Sequence, residues 1–224
     1  MLLGIVYTNI GQERVTNMGS VGKTISALNR KSYQETTDWF NQYGNYEDWQ
    51  EDIFDKEYDE TIYKYTGEYY DLVNTYLRTG NFQQPNKWFE QSDMDKMVSE
   101  LDYAVSSFNL KRPITVYRAS DTSIFGAPNM SYEQLRSFIG KTVTDKGYLS
   151  TSTLKSLPDE QTVGGNISYV VDIPAGKGNG AYIAKYSENS QEREFLTKRS
   201  GKYIVGDITR DNQGHITVHM KLSK

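Results

Sequence analysis

The hydrophobic period of this chain changes once, near Pro113, and that change fixes the order in which secondary structure is laid down. Between residues 32 and about 109, apolar side chains recur at helical spacing: Trp39, Phe40 and Tyr43, then Ile62, Tyr65 and Tyr69, then Leu72, Tyr76 and Leu77. Residues 81–85 interrupt the pattern, and Ser92 and Asp93 are placed to cap a further helix carrying Met94, Met97, Leu101 and Val105. After Pro113 the apolar residues alternate or cluster in short runs between glycine-containing turns, which is strand behaviour. One helix, starting near Ser131 with Glu133 behind it, interrupts the strands and would bury Leu135, Phe138 and Ile139. Helices first and strands second make an α+β order. At 224 residues the chain suffices for one well-buried domain. Residues 1–31 read as a leader or extension, 32–110 as the helical part of the domain and 111–224 as its β-rich part.

Composition removes several function classes. A net charge of −4 and a pI near 5.3 argue against a general nucleic-acid binder, which needs a basic stripe to neutralise phosphates. With no cysteine there is neither a disulfide framework nor a thiolate metal site. The two histidines, His215 and His219, are four residues apart in a strand-like run, about 13 Å if extended, too far to share a metal. No stretch approaches the ~20 apolar residues of a membrane span. The first residues lack the basic region and small-residue cleavage site of a signal peptide. Residues 18–24 look like a phosphate-binding loop, but Asn17 stands where that motif needs glycine, so no ATP or GTP site is assigned.

Three short segments carry chemistry. Arg118 ends the β-branched run Pro113-Ile114-Thr115-Val116-Tyr117-Arg118. Ser150-Thr151-Ser152 lies in a second strand-like run, entered from Asp145-Lys146-Gly147. Glu192-Arg193-Glu194 follows near the C-terminus, and two carboxylates one residue apart on a strand share a face. Singly, each has an ordinary reading: a surface ion-pair arginine, hydroxyls common in strands, charges on a solvated strand face.

Taken in that order and at those intervals, the segments resemble the mono-ADP-ribosyltransferases of the Arg, Ser-Thr-Ser, Glu-x-Glu class, which include binary-toxin enzymatic components and single-domain exoenzymes. The resemblance runs from about residue 62 to 205. It includes the spacing of Tyr65, Tyr70 and Asn74 in YTGEYYDLVNTYLR, and the strand, turn and glycine-alanine-tyrosine strand of YVVDIPAGKGNGAYIAKYSENSQEREFL. It implies two packed, mostly antiparallel β-sheets with an N-terminal helical layer, and NAD as co-substrate in a cleft without a metal. Glu194 matches the catalytic glutamate, which stabilises the cationic ribose as nicotinamide departs, a state akin to that of glycoside hydrolysis. Arg118 matches the diphosphate-binding arginine, Ala119 offers its backbone to the nicotinamide amide, and Ser150 orients Glu194. Thr151 and Ser152 brace the sheets, while Tyr65, Tyr70 and Asn74 line the cleft. Residues 154–165 occupy the place of the family's phosphate-nicotinamide loop, with Lys155 as the only base and no aromatic.

Glu192 decides the acceptor, since members with glutamate there modify arginine. The leading expectation is therefore transfer of ADP-ribose to arginine of a target protein. Two alternatives stand beside it: an NAD glycohydrolase, in which water is the acceptor, and an inactive binding module gripping a partner through its tyrosine-rich helices. Binary-toxin likeness points to actin as target, but those chains carry a further docking domain; single-domain exoenzymes fit the length but typically have glutamine at the first acidic position. A bacterial target fits equally. The protein is expected to be a monomer, exported or injected, and active in a target-cell cytosol.

Overall fold

The computed structural model describes Leu28, residues 31–155 and residues 167–223. The loop-like segment 18–24, nearly all of the expected leader, and residues 156–165 of the proposed nicotinamide loop lie outside the described residues.

The helical part begins with α1 (Tyr33–Tyr43), α2 (Tyr46–Asp55) and α3 (Asp59–Lys64), followed by a π-helical turn over Tyr65–Tyr69 and α4 (Tyr70–Thr79). Ser32 caps α1 through a reciprocal pair of bonds with Glu35, at 2.6 and 3.2 Å. α4 stops at Gly80, whose φ of 75° suits glycine and whose amide closes on the Tyr76 carbonyl at 2.7 Å. α5 (Gln91–Ser107) buries Met94, Met97, Leu101 and Val105 as their period predicts. It starts earlier than Ser92, however: the Glu90 amide donates to Asp93 Oδ2 at 2.8 Å, so Glu90 is the cap. α6 (Tyr132–Arg136) begins at Ser131 as expected, with Gln134 completing the reciprocal cap. That helix is short, so Leu135 is buried, Phe138 is only partly covered and Ile139 is 43% exposed.

The strands are β1 (Asn109–Leu110), β2 (Ile114–Ala119), β3 (Thr142–Asp145), β4 (Ser150–Ser152), β5 (Ile167–Ile173), β6 (Gly176–Lys177), β7 (Gly180–Tyr182), β8 (Glu194–Thr197), β9 (Gly201–Arg210) and β10 (Ile216–Leu222). β1 pairs with β6. The other eight form a ladder in the order β3-β9-β10-β5-β2-β4-β8-β7, antiparallel except where β10 runs parallel to β5. The two expected sheets are joined: between β2 and β4 the ladder narrows to one registered pair, Tyr117 with Ser152. That pinch lies between the strands that carry Arg118 and Ser150.

An aromatic core fixes β7 and β8 against the helices. The Phe40 ring of α1 stacks on Tyr182 of β7 at 4.2 Å and on Phe195 of β8 at 6.1 Å, and Trp49 of α2 donates to the Ala104 carbonyl of α5 at 2.8 Å. Burying a side chain such as Phe195 is worth about 1.5–3 kcal/mol. A β-carbon on Gly180 would strike the Phe195 ring and would lie 2.8 Å from the Leu196 carbonyl oxygen, so glycine is required for β7 to approach β8 this closely. Because Phe195 faces the helical layer, strand alternation turns Glu194 to the opposite face.

Candidate active site

Strand order brings the three sequence motifs side by side, because β4 lies between β2 and β8. Arg118 Nη1 donates to the Ser150 carbonyl at 2.7 Å, and the Ser150 hydroxyl donates to Glu194 Oε1. The rest of the hydroxyl motif braces β8 and the turn before it. Thr151 Oγ1 donates to the Phe195 carbonyl, and Ser152 Oγ donates to the Glu192 carbonyl at 2.6 Å. Ala119 closes β2 in register with Ser168 of β5.

Glu194 is 4% exposed, and burial pushes its carboxyl up to about 7. The Ser150 hydrogen bond opposes that rise, Glu192 adds to it and the Arg118 charge opposes it. The result is a carboxyl poised near neutrality, the range in which perturbed groups mark functional sites.

Glu192 does not share a strand face with Glu194. Ser190–Glu192 form a 3₁₀ turn, Arg193 adopts a left-handed backbone with φ of 48°, and only then does β8 begin. Asn189 Nδ2 donates to Glu192 Oε1 at 2.7 Å, which holds the first carboxylate on the loop. The alternation rule failed because it presumes extended backbone throughout.

The two tyrosines also part company. Tyr65 is fully buried, while Tyr70 is 52% exposed. Asn74 Nδ2 donates to the Tyr65 hydroxyl at 3.0 Å, and Asn74 Oδ1 accepts the Tyr148 amide at 2.8 Å. In this structure Tyr65 and Asn74 support the segment that leads into Ser150. Gly147 makes this contact possible, since a β-carbon there would come within 2.5 Å of Asn74 Oδ1. Beside it Arg78 binds Asp145 bidentately at 2.9 and 2.8 Å, tying α4 to β3. Nothing in the sequence singled out Arg78; its position at the end of an amphipathic helix looks like any solvated arginine.

A cleft of about 540 Å³ opens on this face, lined by Arg118, Arg78, Ser120, Asp121, Lys146 and Tyr169 among others. Its size suits a small-molecule ligand, and Arg118 on its wall presents a planar donor fork of the kind that grips phosphate oxygens. Ser150 and Glu194 are not part of the cleft lining; they sit next to it through Arg118. Lys155 is exposed at the last described position of its loop. Among the described residues there is no cluster of His, Cys, Asp or Glu able to hold a metal, and no helix long and apolar enough to cross a membrane.

With that geometry in view, residues 36–223 match the family model described as ADP-ribosyltransferase exoenzyme. The chain belongs to that family. The ADP-ribosyltransferase toxin Plx2a from Paenibacillus larvae superposes with a TM-score of 0.70 at 27% identity, covering 86% of this chain and 96% of Plx2a. The ADP-ribosylating toxin BECa of a C. perfringens binary enterotoxin, solved with NADH, superposes with a TM-score of 0.63 at 20% identity, over 73% of this chain and 42% of that one. The fold is thus the α+β fold of the ADP-ribosyltransferase toxins. The NAD(+)--arginine ADP-ribosyltransferase EFV of Enterococcus faecalis (strain ATCC 700802 / V583) is 29% identical over 157 residues. That match takes in 69% of this chain, which spans 29% of the length of EFV. The family is named for ADP-ribosyl transfer, and toxins of this kind use NAD.

Proposed function

We propose that the protein transfers ADP-ribose from NAD to an arginine side chain of a target protein, as a toxin or effector. The observation that carries this reading is that Ser150 bonds both partners, Arg118 through its carbonyl and Glu194 through its hydroxyl. NAD supplies an activated ribose whose bond to nicotinamide breaks with the electron pair leaving on the nicotinamide. Arg118 would hold the diphosphate, its guanidinium offering parallel donors that lysine lacks. Ser150 fixes the Glu194 carboxylate, which stabilises positive charge developing on the sugar. An acceptor arginine, which stays protonated far above neutral pH, must share its proton before it can attack, a cost of roughly 8 kcal/mol. Glu192, beside Glu194 but outside the buried pair, is the group that can take or polarise that proton. Similarity to EFV, whose name states arginine as acceptor, supports the same choice.

The target is actin or a bacterial protein presenting arginine, and the site of action is the cytosol of a target cell. A second reading, NAD glycohydrolase, draws on the Asn189 bond that already occupies Glu192 Oε1. Incubation with labelled NAD and agmatine decides between them: labelled agmatine supports arginine transfer, whereas nicotinamide release with no labelled acceptor favours water.

A further inference from the structure

Among the described residues, only Glu57, Arg193 and Ser200 are non-glycine residues with positive φ. Arg193 stands between the two functional glutamates, with φ 48° and ψ 52°. Glycine adopts that backbone without penalty, yet an arginine occupies it. Arg193 is half-buried, and its guanidinium turns back onto the protein. Nη1 donates to the Lys31 carbonyl at 2.5 Å, while Nε is buried without a hydrogen-bond partner. Lys31 immediately precedes Ser32, the cap of α1, so the side chain joins the catalytic turn to the start of the helical layer across 162 residues. Tyr33, Glu35 and Tyr182 lie close enough to feel its charge.

The backbone around Arg193 is held on both sides. Its amide bonds the Ser190 carbonyl at 3.2 Å and its carbonyl accepts from the Thr153 amide at 3.2 Å. Glu194 is independently fixed by β4 and by the Ile183 amide on its carbonyl at 3.1 Å. Glu192 has no such strand pairing and depends on the turn: its amide bonds Asn189 O, its carbonyl bonds Ser152 Oγ and its carboxylate bonds Asn189 Nδ2. A left-handed residue at 193 is what swings Glu192 off the line of β8.

We propose that Arg193 is a positioning residue that sets Glu192 for the acceptor by anchoring the turn to the first residues of α1. The proposal rests on the arginine-transfer reading above. It assigns the start of the helical layer a part in acceptor use, separate from cleavage of the nicotinamide bond, which Glu194 serves.

The test uses Arg193→Gly, which keeps the left-handed backbone and deletes the anchor, with Arg193→Lys as the conservative variant. Agmatine labelling and nicotinamide release into water are measured for both, alone and with Glu192→Gln. Arg193→Gly should lower kcat/KM for agmatine by about tenfold or more while nicotinamide release changes by less than about threefold. Arg193→Lys should recover part of the loss, and Arg193→Gly should add nothing once Glu192 is glutamine. An equal fall in both reactions, or additive losses with Glu192→Gln, overturns the proposal. A crystal structure of Arg193→Gly supplies an arm independent of acceptor: displacement of Glu192 from Ser152 and Asn189 supports positioning, and an unmoved turn overturns it. Should wild-type protein release nicotinamide but never label agmatine, the arginine reading fails on its own while the crystallographic arm still decides what Arg193 holds. If the glycine variant does not fold, the lysine variant carries the same comparison.

Discussion

Ser150 and Glu194 meet diagonally across β4 and β8: Ser150 is in register with Leu196 and Ser152 with Glu194, yet the Ser150 hydroxyl reaches Glu194 Oε1. Diagonal neighbours of this kind lie on one face of an antiparallel pair and stay within side-chain reach. The hydrogen bond and the burial act in opposite directions on the same carboxyl.

That opposition gives a pH prediction. The proposed mechanism needs the Glu194 carboxylate, and burial holds the carboxyl up to about 7, so kcat/KM for nicotinamide release should climb with pH and flatten above that value. Ser150→Ala removes the bond that favours the ionised form and should shift the rising limb to higher pH. A pH–rate profile of both proteins checks it; a limb that stays in place would detach Ser150 from Glu194.

The same carboxyl bears on stability. The folded protein holds the Glu194 proton more tightly than the unfolded chain, so stability declines as pH rises from the ordinary carboxylate value of 4.5 through about 7. Glu194→Gln removes the buried charge and should unfold at a higher temperature than wild type at pH 8, with a smaller difference at pH 5. Thermal melts at the two pH values measure this directly.

Arg118→Ala should weaken NAD binding by about tenfold to a hundredfold, since a charge-assisted hydrogen bond contributes about 1.5–3 kcal/mol. Arg118→Lys keeps the charge but loses the planar fork that reaches both the cleft and the Ser150 carbonyl, and should recover little. Calorimetric titration with NAD reads both variants, and unaltered affinity in the alanine variant would remove Arg118 from the site.

Much of this arrangement was legible in the chain because it rests on local rules. The single change of hydrophobic period marked the helical and β-rich parts, and Met94, Met97, Leu101 and Val105 fell on the buried face of one helix. Arg118 and Ser150 were found at the ends of β-branched or hydroxyl-rich runs that are strands. What failed did so where backbone leaves regular periods. Five residues apart, Tyr65 and Tyr70 fall off a common stripe of a 3.6-residue repeat; what spacing did not supply is which of the two is buried, and the π turn at Tyr65–Tyr69 lies between them. The left-handed Arg193 broke the strand rule for Glu192. Arg78 and Asp145 were invisible because their pairing joins segments 67 residues apart and no local pattern encodes it.

Asn74→Ala should test the brace beneath the site. It leaves the Tyr148 amide and the Tyr65 hydroxyl without their partner in a buried setting, at a cost of about 1–3 kcal/mol for an unsatisfied polar group. A lower midpoint in urea with an unchanged slope is expected, with reduced nicotinamide release because Tyr148 lies two residues before Ser150. A midpoint equal to wild type would mean that water replaces Asn74 without loss.

The two glutamates should separate in a single pair of assays, because the structure gives them different settings. Glu194 is buried, bonded to Ser150 and fixed in β8; Glu192 is half-buried on a turn and bonded to Asn189. Glu194→Gln keeps the shape but loses the charge that favours a cationic sugar, so nicotinamide release and transfer to agmatine should both drop by about two to three orders of magnitude. Glu192→Gln keeps that charge and loses only the group proposed to face the acceptor's proton. Transfer to agmatine should then fall by about a hundredfold while much of the hydrolysis persists. Parallel loss of both reactions in Glu192→Gln would place the first glutamate in bond cleavage instead, and with it the reason for assigning arginine as the acceptor would go.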